Sequence, residues 1–174
     1  MTTEVVMTAI QDNNAPYVLP EKVRVEIDHW LTKYPADQKQ SAVLSALHAI
    51  QHHEGYVTVP QMNAVAAYLD MPPVSVYEVS SFYSMIETQA VGRNTVAFCN
   101  NISCMLCGAD ELIDHVENKL GIKLGESTAD GRIYLKAEEE CLAACVGAPM
   151  MAVNGHYHEN LTIEKLDRIL DGLE

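Results

Sequence analysis

The chain lacks the features that mark several large classes of protein. Its 174 residues contain no apolar run near the ~18 residues that a membrane-spanning helix needs, and its first ten residues lack the basic start of a secretory signal. Five cysteines are too few for a secreted disulfide framework, and their odd number leaves one unpaired. Basic residues are scarce, with 11 Lys and Arg against 24 Asp and Glu, so no basic patch is available for nucleic acid. These absences predict a cytoplasmic protein with no membrane insertion and no nucleic-acid partner.

The hydrophobic pattern predicts an α+β protein with two structured parts. Residues 1–19 are polar and aperiodic, which predicts a flexible N-terminal tail. Residues 20–90 contain four apolar segments with helical spacing, separated by short links marked by Pro or Gly, and this predicts a helical bundle. Gly55 is expected to end the second helix. In its fourth helix, which follows Pro72 and Pro73, we expect Phe82 and Tyr83 to be buried.

Residues 91–174 show a different pattern, which predicts a small α/β domain. Residues 94–99 alternate in polarity and are rich in β-formers. One long helix is expected from Cys104 to about Leu120, with its apolar residues facing inward: Leu106, Leu112, Ile113, Val116 and Leu120. Strands are expected at 132–136 and 150–153, with a hairpin to 156–158 across Asn154 and Gly155. A last helix is expected over 163–173, capped by Thr162.

Four cysteines form two closely spaced pairs. Cys99 and Cys104 lie in C-N-N-I-S-C, and Cys141 and Cys145 lie in C-L-A-A-C, with 36 residues between the pairs. Thiolates suit zinc, Cu(I) and iron–sulfur clusters, and two pairs can supply two sulfurs to each iron of a [2Fe–2S] cluster. The shorter gap of the second pair would also suit zinc. Both pairs are expected where strands end, so loops at one end of a sheet can bring the four sulfurs together.

These residues carry a resemblance. The stretches F-C-N-N-I-S-C-M-L-C-G-A and E-C-L-A-A-C-V-G-A-P-M-M, with H-A-I-Q-H-H-E-G-Y-V and V-Y-E-V-S-S-F-Y-S-M, resemble the E-type subunit of bacterial NADH–quinone oxidoreductase, which is respiratory complex I. The mitochondrial counterpart is the 24 kDa subunit. The match covers nearly everything after residue 20. It implies a thioredoxin-like [2Fe–2S] ferredoxin domain behind a helical bundle.

The resemblance also implies a cofactor, a site and partners. One [2Fe–2S] cluster would be held by Cys99, Cys104, Cys141 and Cys145. A partner flavoprotein would bind FMN and NADH close to the cluster, and other peripheral-arm subunits would complete a complex attached to the inner membrane. The chain itself has no GxGxxG or P-loop motif and no nucleophile–base arrangement, so we expect no catalytic residue and no turnover from it alone.

Two departures from the family pattern, and several alternatives, stay open. Ala143 stands where the family usually has Gly, and Cys107 is an extra thiol. Cys104 with Cys107 mimics a thioredoxin C-x-x-C pair, and Cys107 as a ligand would give a plant-type ferredoxin opening. The related subunit of a soluble NAD-linked hydrogenase or formate dehydrogenase is an alternative, as is a zinc-binding interaction domain. His52 and His53 are adjacent on a predicted helix and diverge, which disfavours a metal site.

Overall fold

The computed structural model describes residues 17–137 and 141–174. The predicted tail lies largely outside these ranges, as does the acidic run at 138–140 that precedes Cys141. The chain divides into two compact units, one ending at Phe82 and the other running from Tyr83 to Glu174. The division into a bundle at 20–90 and a second domain at 91–174 stays a prediction.

Within residues 17–82, the first unit contains four α-helices and one short 3₁₀ helix. The α-helices are α1 (Glu21–Leu31), α2 (Val43–Glu54), α3 (Val59–Leu69) and α4 (Pro73–Phe82), and the 3₁₀ helix is Lys39–Ala42. Helix α2 ends at Gly55, whose φ of +87° is the left-handed conformation expected of a helix-terminating glycine. Helix α3 begins with a capping box, in which the Thr58 N–H donates to Gln61 Oε1 at 2.6 Å.

The predicted burial at the end of the fourth helix is wrong. Phe82 is 78% exposed and Tyr83 is also exposed, whereas Val76 and Ser80 are buried. Val76 and Ser80 are four residues apart and therefore define one face of α4. Phe82 lies about 200° around the helix from Ser80, so it faces away from the core.

In its described residues, 83–137 and 141–174, the second unit combines a four-stranded sheet with three α-helices. Its strands are β1 (Asn94–Phe98), β2 (Ile133–Leu135), β3 (Met151–Val153) and β4 (His156–His158). Its helices are α5 (Ile102–Leu106), α6 (Ala109–Leu120) and α7 (Ile163–Asp171), with a 3₁₀ turn at Cys145–Gly147. The Thr162 side chain accepts a hydrogen bond from the Lys165 N–H and so caps α7 as predicted.

The strand order is β2-β1-β3-β4, with β1 parallel to β2 and antiparallel to β3. The hairpin from β3 to β4 turns at Asn154 and Gly155, both with positive φ, which confirms the predicted Asn-Gly turn. Helices α6 and α7 share one hydrophobic core with the sheet, including Val96, Val116 and Leu166. Both helices therefore cover the sheet face that carries Val96.

The single helix predicted from Cys104 to Leu120 is instead two helices. Helix α5 ends at Leu106, and Gly108, with a φ of +91°, turns the chain into α6. Only a glycine reaches this conformation without steric cost, so the break is encoded at this position. Leu106 is 77% exposed, against its predicted inward position, whereas Leu112 and Val116 are buried as expected. None of the helices in the described ranges combines the length and the apolar character needed to span a lipid bilayer.

Candidate iron–sulfur site

The sheet topology brings both cysteine pairs to one edge. Strands β1 and β2 are parallel, so their C-terminal ends lie at the same edge, and Cys99 directly follows β1. The chain leaves β2 and reaches Cys141 six residues after Leu135. It then returns through Cys145 to the start of β3, which runs antiparallel to β1 and begins at this same edge.

The first pair is buried. The Cys99 N–H donates to the Met150 carbonyl at 3.2 Å, which extends the pairing of β1 with β3 by one residue. Cys104 lies within α5, whose start is fixed by the Asn101 Oδ1 accepting from the Ile102 N–H at 3.1 Å. Both sulfurs lie in a small apolar cluster that includes Ala109 and Met150. The two thiols are therefore held with little access to water.

The second pair lies on an exposed loop with a defined backbone. Cys141 and Cys145 are both exposed. Ala143 between them has a φ of +56°, in the left-handed region that favours glycine. The Gly147 carbonyl accepts from the Asn160 N–H at 2.6 Å, which anchors the loop after Cys145. Ala148 and Pro149 are joined by a cis peptide bond.

Backbone N–H groups point at the buried sulfurs. Burial by itself would raise the pKa of the Cys99 thiol, but hydrogen bonds from the Asn101 and Leu142 backbone, with contacts to the Cys104 and Cys141 thiols, lower it overall. The pKa of Cys104 is raised to about 11, mainly by burial and next by the hydrogen bond with Cys99. A hydrogen bond from the Met150 backbone lowers it, but by less. The pKa values of the two neighbouring thiols are therefore shifted in opposite directions, and binding of a metal requires both as thiolates.

Pairwise contacts of the Cys99 thiol link the two cysteine pairs. This thiol is within hydrogen-bonding reach of Cys104 on α5 and of Cys141 in the other loop. Cys145 is near enough to act electrostatically on Cys104. Cys107, by contrast, is exposed at the end of α5. Across residues 17–137 and 141–174, no three His, Cys, Asp or Glu side chains stand close enough together to enclose a metal ion.

The two histidines at the end of α2 do not converge on a common point. The rings of His52 and His53 meet edge to face, with centroids 5.5 Å apart. The His53 Nε2 lies 3.8 Å from Glu26 Oε2 on α1. This pairing gives His53 a structural partner within the bundle.

Sequence reasoning missed two groups around the cysteines. It named no particular backbone donor, because the positions of the Leu142 and Met150 N–H groups depend on how the loops fold. It also missed an ion pair between Lys136 and Glu87, whose Nζ and Oε1 atoms are 3.8 Å apart. The only available signal for the pair was a lysine at the end of a strand beside a metal-binding motif.

The residues present fit an iron–sulfur cluster. Four cysteine sulfurs from two loops are the donor set that a [2Fe–2S] cluster uses. The backbone of Asn101 and Leu142 donates hydrogen bonds to Cys99, and that of Met150 donates to Cys104, so these N–H groups would offset negative charge if a cluster were bound there. The fold and this thiol-rich edge are therefore those of a small iron–sulfur protein.

Comparison with known proteins defines the family. The model of the thioredoxin-like [2Fe-2S] ferredoxin family matches residues 27–174, and the chain belongs to this family. The second E-type subunit of the NADH-quinone oxidoreductase of Rhizobium meliloti is 40% identical over 149 residues, which are 86% of this chain and 87% of that protein. The E-type subunit of the NADH-quinone oxidoreductase of Rickettsia felis is 42% identical over 142 residues, or 81% of this chain and 84% of that protein.

A eukaryotic relative and a solved structure extend the comparison. The mitochondrial NADH dehydrogenase (ubiquinone) flavoprotein 2 of Dictyostelium discoideum is 36% identical over 167 residues, which are 94% of this chain and 67% of that protein. The crystal structure of an NAD⁺-reducing [NiFe]-hydrogenase in the air-oxidized state has a similar fold, with a TM-score of 0.64 at 22% identity. That match covers 77% of this chain and 23% of the hydrogenase chain.

Proposed function

We propose that this chain is the electron-transfer subunit of an NADH:quinone oxidoreductase and that Cys99, Cys104, Cys141 and Cys145 hold its one [2Fe–2S] cluster. The observation that carries the proposal is the meeting of both cysteine pairs at one sheet edge, through the Cys99 thiol. Relatives about 40% identical that are named as the E-type subunit of this enzyme support the assignment.

The surroundings of the cysteines suit a one-electron carrier. A bound [2Fe–2S] cluster accepts and releases one electron at a time. The buried sulfurs of Cys99 and Cys104 exclude water from one side of the site, and backbone N–H groups there offset negative charge. Cys141 and Cys145 are exposed residues, so the other side of the site is open to a partner protein.

Exposed apolar side chains adjoin the cysteines in the sequence, and we refer to them together as the apolar surface. They are Ile102, Met105 and Leu106 on α5 and Val146 beside Cys145, and Val146 is completely exposed. The three α5 residues share a helix face because they are three and four positions apart. Fully burying these four side chains removes on the order of 300 Å² of apolar surface, which is comparable to the largest apolar patch on a typical monomer. A stable interface needs about 800 Å² per partner, so further surface must contribute.

We assign this apolar surface to a flavoprotein subunit that binds FMN and NADH. An electron carrier with no flavin or nicotinamide motif needs a donor chain, and a donor must approach the cysteines closely. Other peripheral-arm subunits complete the complex, and the chain is held at the cytoplasmic side of the inner membrane through them.

Co-expression with a flavoprotein subunit of NADH:quinone oxidoreductase tests the proposal. The two chains should elute together in gel filtration, and the FMN-loaded pair should reduce an artificial acceptor with NADH. The chain alone should not oxidise NADH. Separate elution of two folded, cofactor-loaded proteins at micromolar concentration would contradict the assignment.

A soluble NAD⁺-reducing hydrogenase is the second candidate, because one such enzyme contains this fold. The two candidates differ in the partner chains that copurify with the native complex. Membrane-arm subunits of a quinone reductase support the main assignment, whereas a [NiFe]-hydrogenase subunit supports the alternative.

A further inference from the structure

Lys136 is a lysine with little contact with water. Its side chain is 8% exposed, although lysine is among the residues most rarely buried. Its Nζ lies 3.8 Å from Glu87 Oε1, and the Glu87 carboxylate is also largely buried. Glu87 also contacts Tyr134. Burial is the main reason that the pKa of the Tyr134 phenol is raised, and the Glu87 carboxylate raises it further. Tyr134 and Lys136 are two residues apart, so Glu87 lies along one face of this strand.

The strand register places Lys136 near Cys99. Val96 pairs with Leu135, so Lys136 is level with Ala97, and Cys99 is two residues further along the neighbouring chain. Strand spacings put the two Cα atoms roughly 8 Å apart. Residues 97 and 99 share a face because the Cys99 N–H continues the ladder to Met150. Lys136 and Cys99 therefore lie on the same side of the sheet, opposite α6 and α7.

We infer that Lys136 and Glu87 set the reduction potential of the [2Fe–2S] cluster in opposite directions. The inference rests on the proposed function. Reduction adds one negative charge to the site, so the Lys136 ammonium stabilises the reduced form and the Glu87 carboxylate destabilises it. Both side chains are largely buried, and solvent ions therefore screen their charges less than they screen surface charges.

The expected size follows from Coulomb's law. A unit charge roughly 10 Å away, at an effective protein dielectric of about 20, changes the equilibrium constant for reduction on the order of tenfold. Removing the ammonium should make the potential more negative, and removing the carboxylate should make it more positive. If the ion pair only stabilised the fold, removing either charge would loosen the same part of the structure. Both changes would then shift the reduction potential in the same direction, rather than in opposite directions.

The test is a redox titration of the full cluster-loaded chain, followed by the EPR signal of the reduced state. Lys136→Met removes the charge and keeps a long apolar side chain, Lys136→Arg keeps the charge, and Glu87→Gln removes the carboxylate. Lys123→Met is the matched control. Lys123 is also ion-paired, at 2.6 Å from Glu117 Oε2, but it is 73% exposed. Lys123 comes after the end of α6. The start of α6 lies beside Cys99 and its twelve residues span about 18 Å, so Lys123 is much farther from the cysteines than Lys136 is.

The inference predicts a negative shift for Lys136→Met, a positive shift for Glu87→Gln, and potentials near that of the native chain for Lys136→Arg and Lys123→Met. A folded, cluster-loaded Lys136→Met variant that shifts no more than Lys123→Met would overturn it, as would shifts of the same sign in both neutral variants. If Lys136→Met does not fold, Glu87→Gln decides, since no positive shift would also overturn the inference. A native chain that binds no cluster would instead reject the proposed function.

Discussion

Ala143 gives the second cysteine loop a backbone conformation that a glycine would adopt more easily. Its φ is +56°, and the other non-glycine residues with positive φ in the described ranges are all Asp or Asn. The left-handed conformation costs about 1–2 kcal/mol for a residue with a Cβ atom. Glycine removes that cost but loses about 0.4–1 kcal/mol through the greater freedom of the unfolded chain. Ala143→Gly should therefore stabilise the chain by about 0.5–1 kcal/mol.

Ala144 supplies a matched control one residue away. Its φ of −107° is open to any residue, so Ala144→Gly gains nothing in the folded state and should cost about 0.4–1 kcal/mol. For a chain of this length, Ala143→Gly should raise the thermal midpoint by about 1–3 °C and Ala144→Gly should lower it by a similar amount. Circular dichroism on cluster-loaded protein, at one heating rate, measures both. Equal destabilisation by the two substitutions would refute the backbone argument.

Three further predictions concern the site, its surface and the fold. Cys107→Ser should keep the visible absorption and the reduced-state EPR signal, while Cys104→Ser should lose both. Loss of these signals in Cys107→Ser would indicate a plant-type ligand set. Val146→Asp should weaken flavoprotein binding at least tenfold, because it puts a charge in an apolar interface. Gel filtration or calorimetric titration measures the affinity, and the iron content should stay unchanged. Unchanged affinity would show that this surface is not part of the contact. Hydrogen bonds from His115 and then Lys119 lower the pKa of Asp167, so its stabilising effect is present above the unfolded pKa of about 4 and is lost as pH falls through the folded value. The gap in urea midpoint between the native chain and Asp167→Asn should narrow from pH 6 to pH 3, and a constant gap would contradict the ion-pair account.

Local patterns predicted most of the secondary structure because their signals are contained in neighbouring residues. The Asn154-Gly155 hairpin, the Gly55 helix end and the Thr162 cap each depend on the conformational preference of one or two residues, and each is confirmed. The break between α5 and α6 was missed, although Gly108 marked it, because the apolar spacing continues across it. The exposure of Leu106 was missed because helical spacing identifies an apolar face but does not say whether that face is buried within the chain or left exposed.

The candidate site was predicted in its residues and not in its surroundings. The spacing of the cysteines identified four sulfurs, and their assignment as ligands stays a prediction. The Lys136 pair could not be predicted, because Glu87 lies 49 residues away in the sequence and only the sheet brings the two together. The opposed pKa shifts of Cys99 and Cys104 likewise depend on N–H groups that the folded loops position.

The central claim is that four cysteines at one sheet edge hold one [2Fe–2S] cluster, and metal analysis of the purified chain tests it most directly. Protein prepared without oxygen should contain two irons and two acid-labile sulfides per chain, with a brown colour and a visible spectrum that bleaches on reduction. Alanine at Cys99, Cys104, Cys141 or Cys145 should lower both contents together. One zinc per chain, with no labile sulfide, would contradict the account.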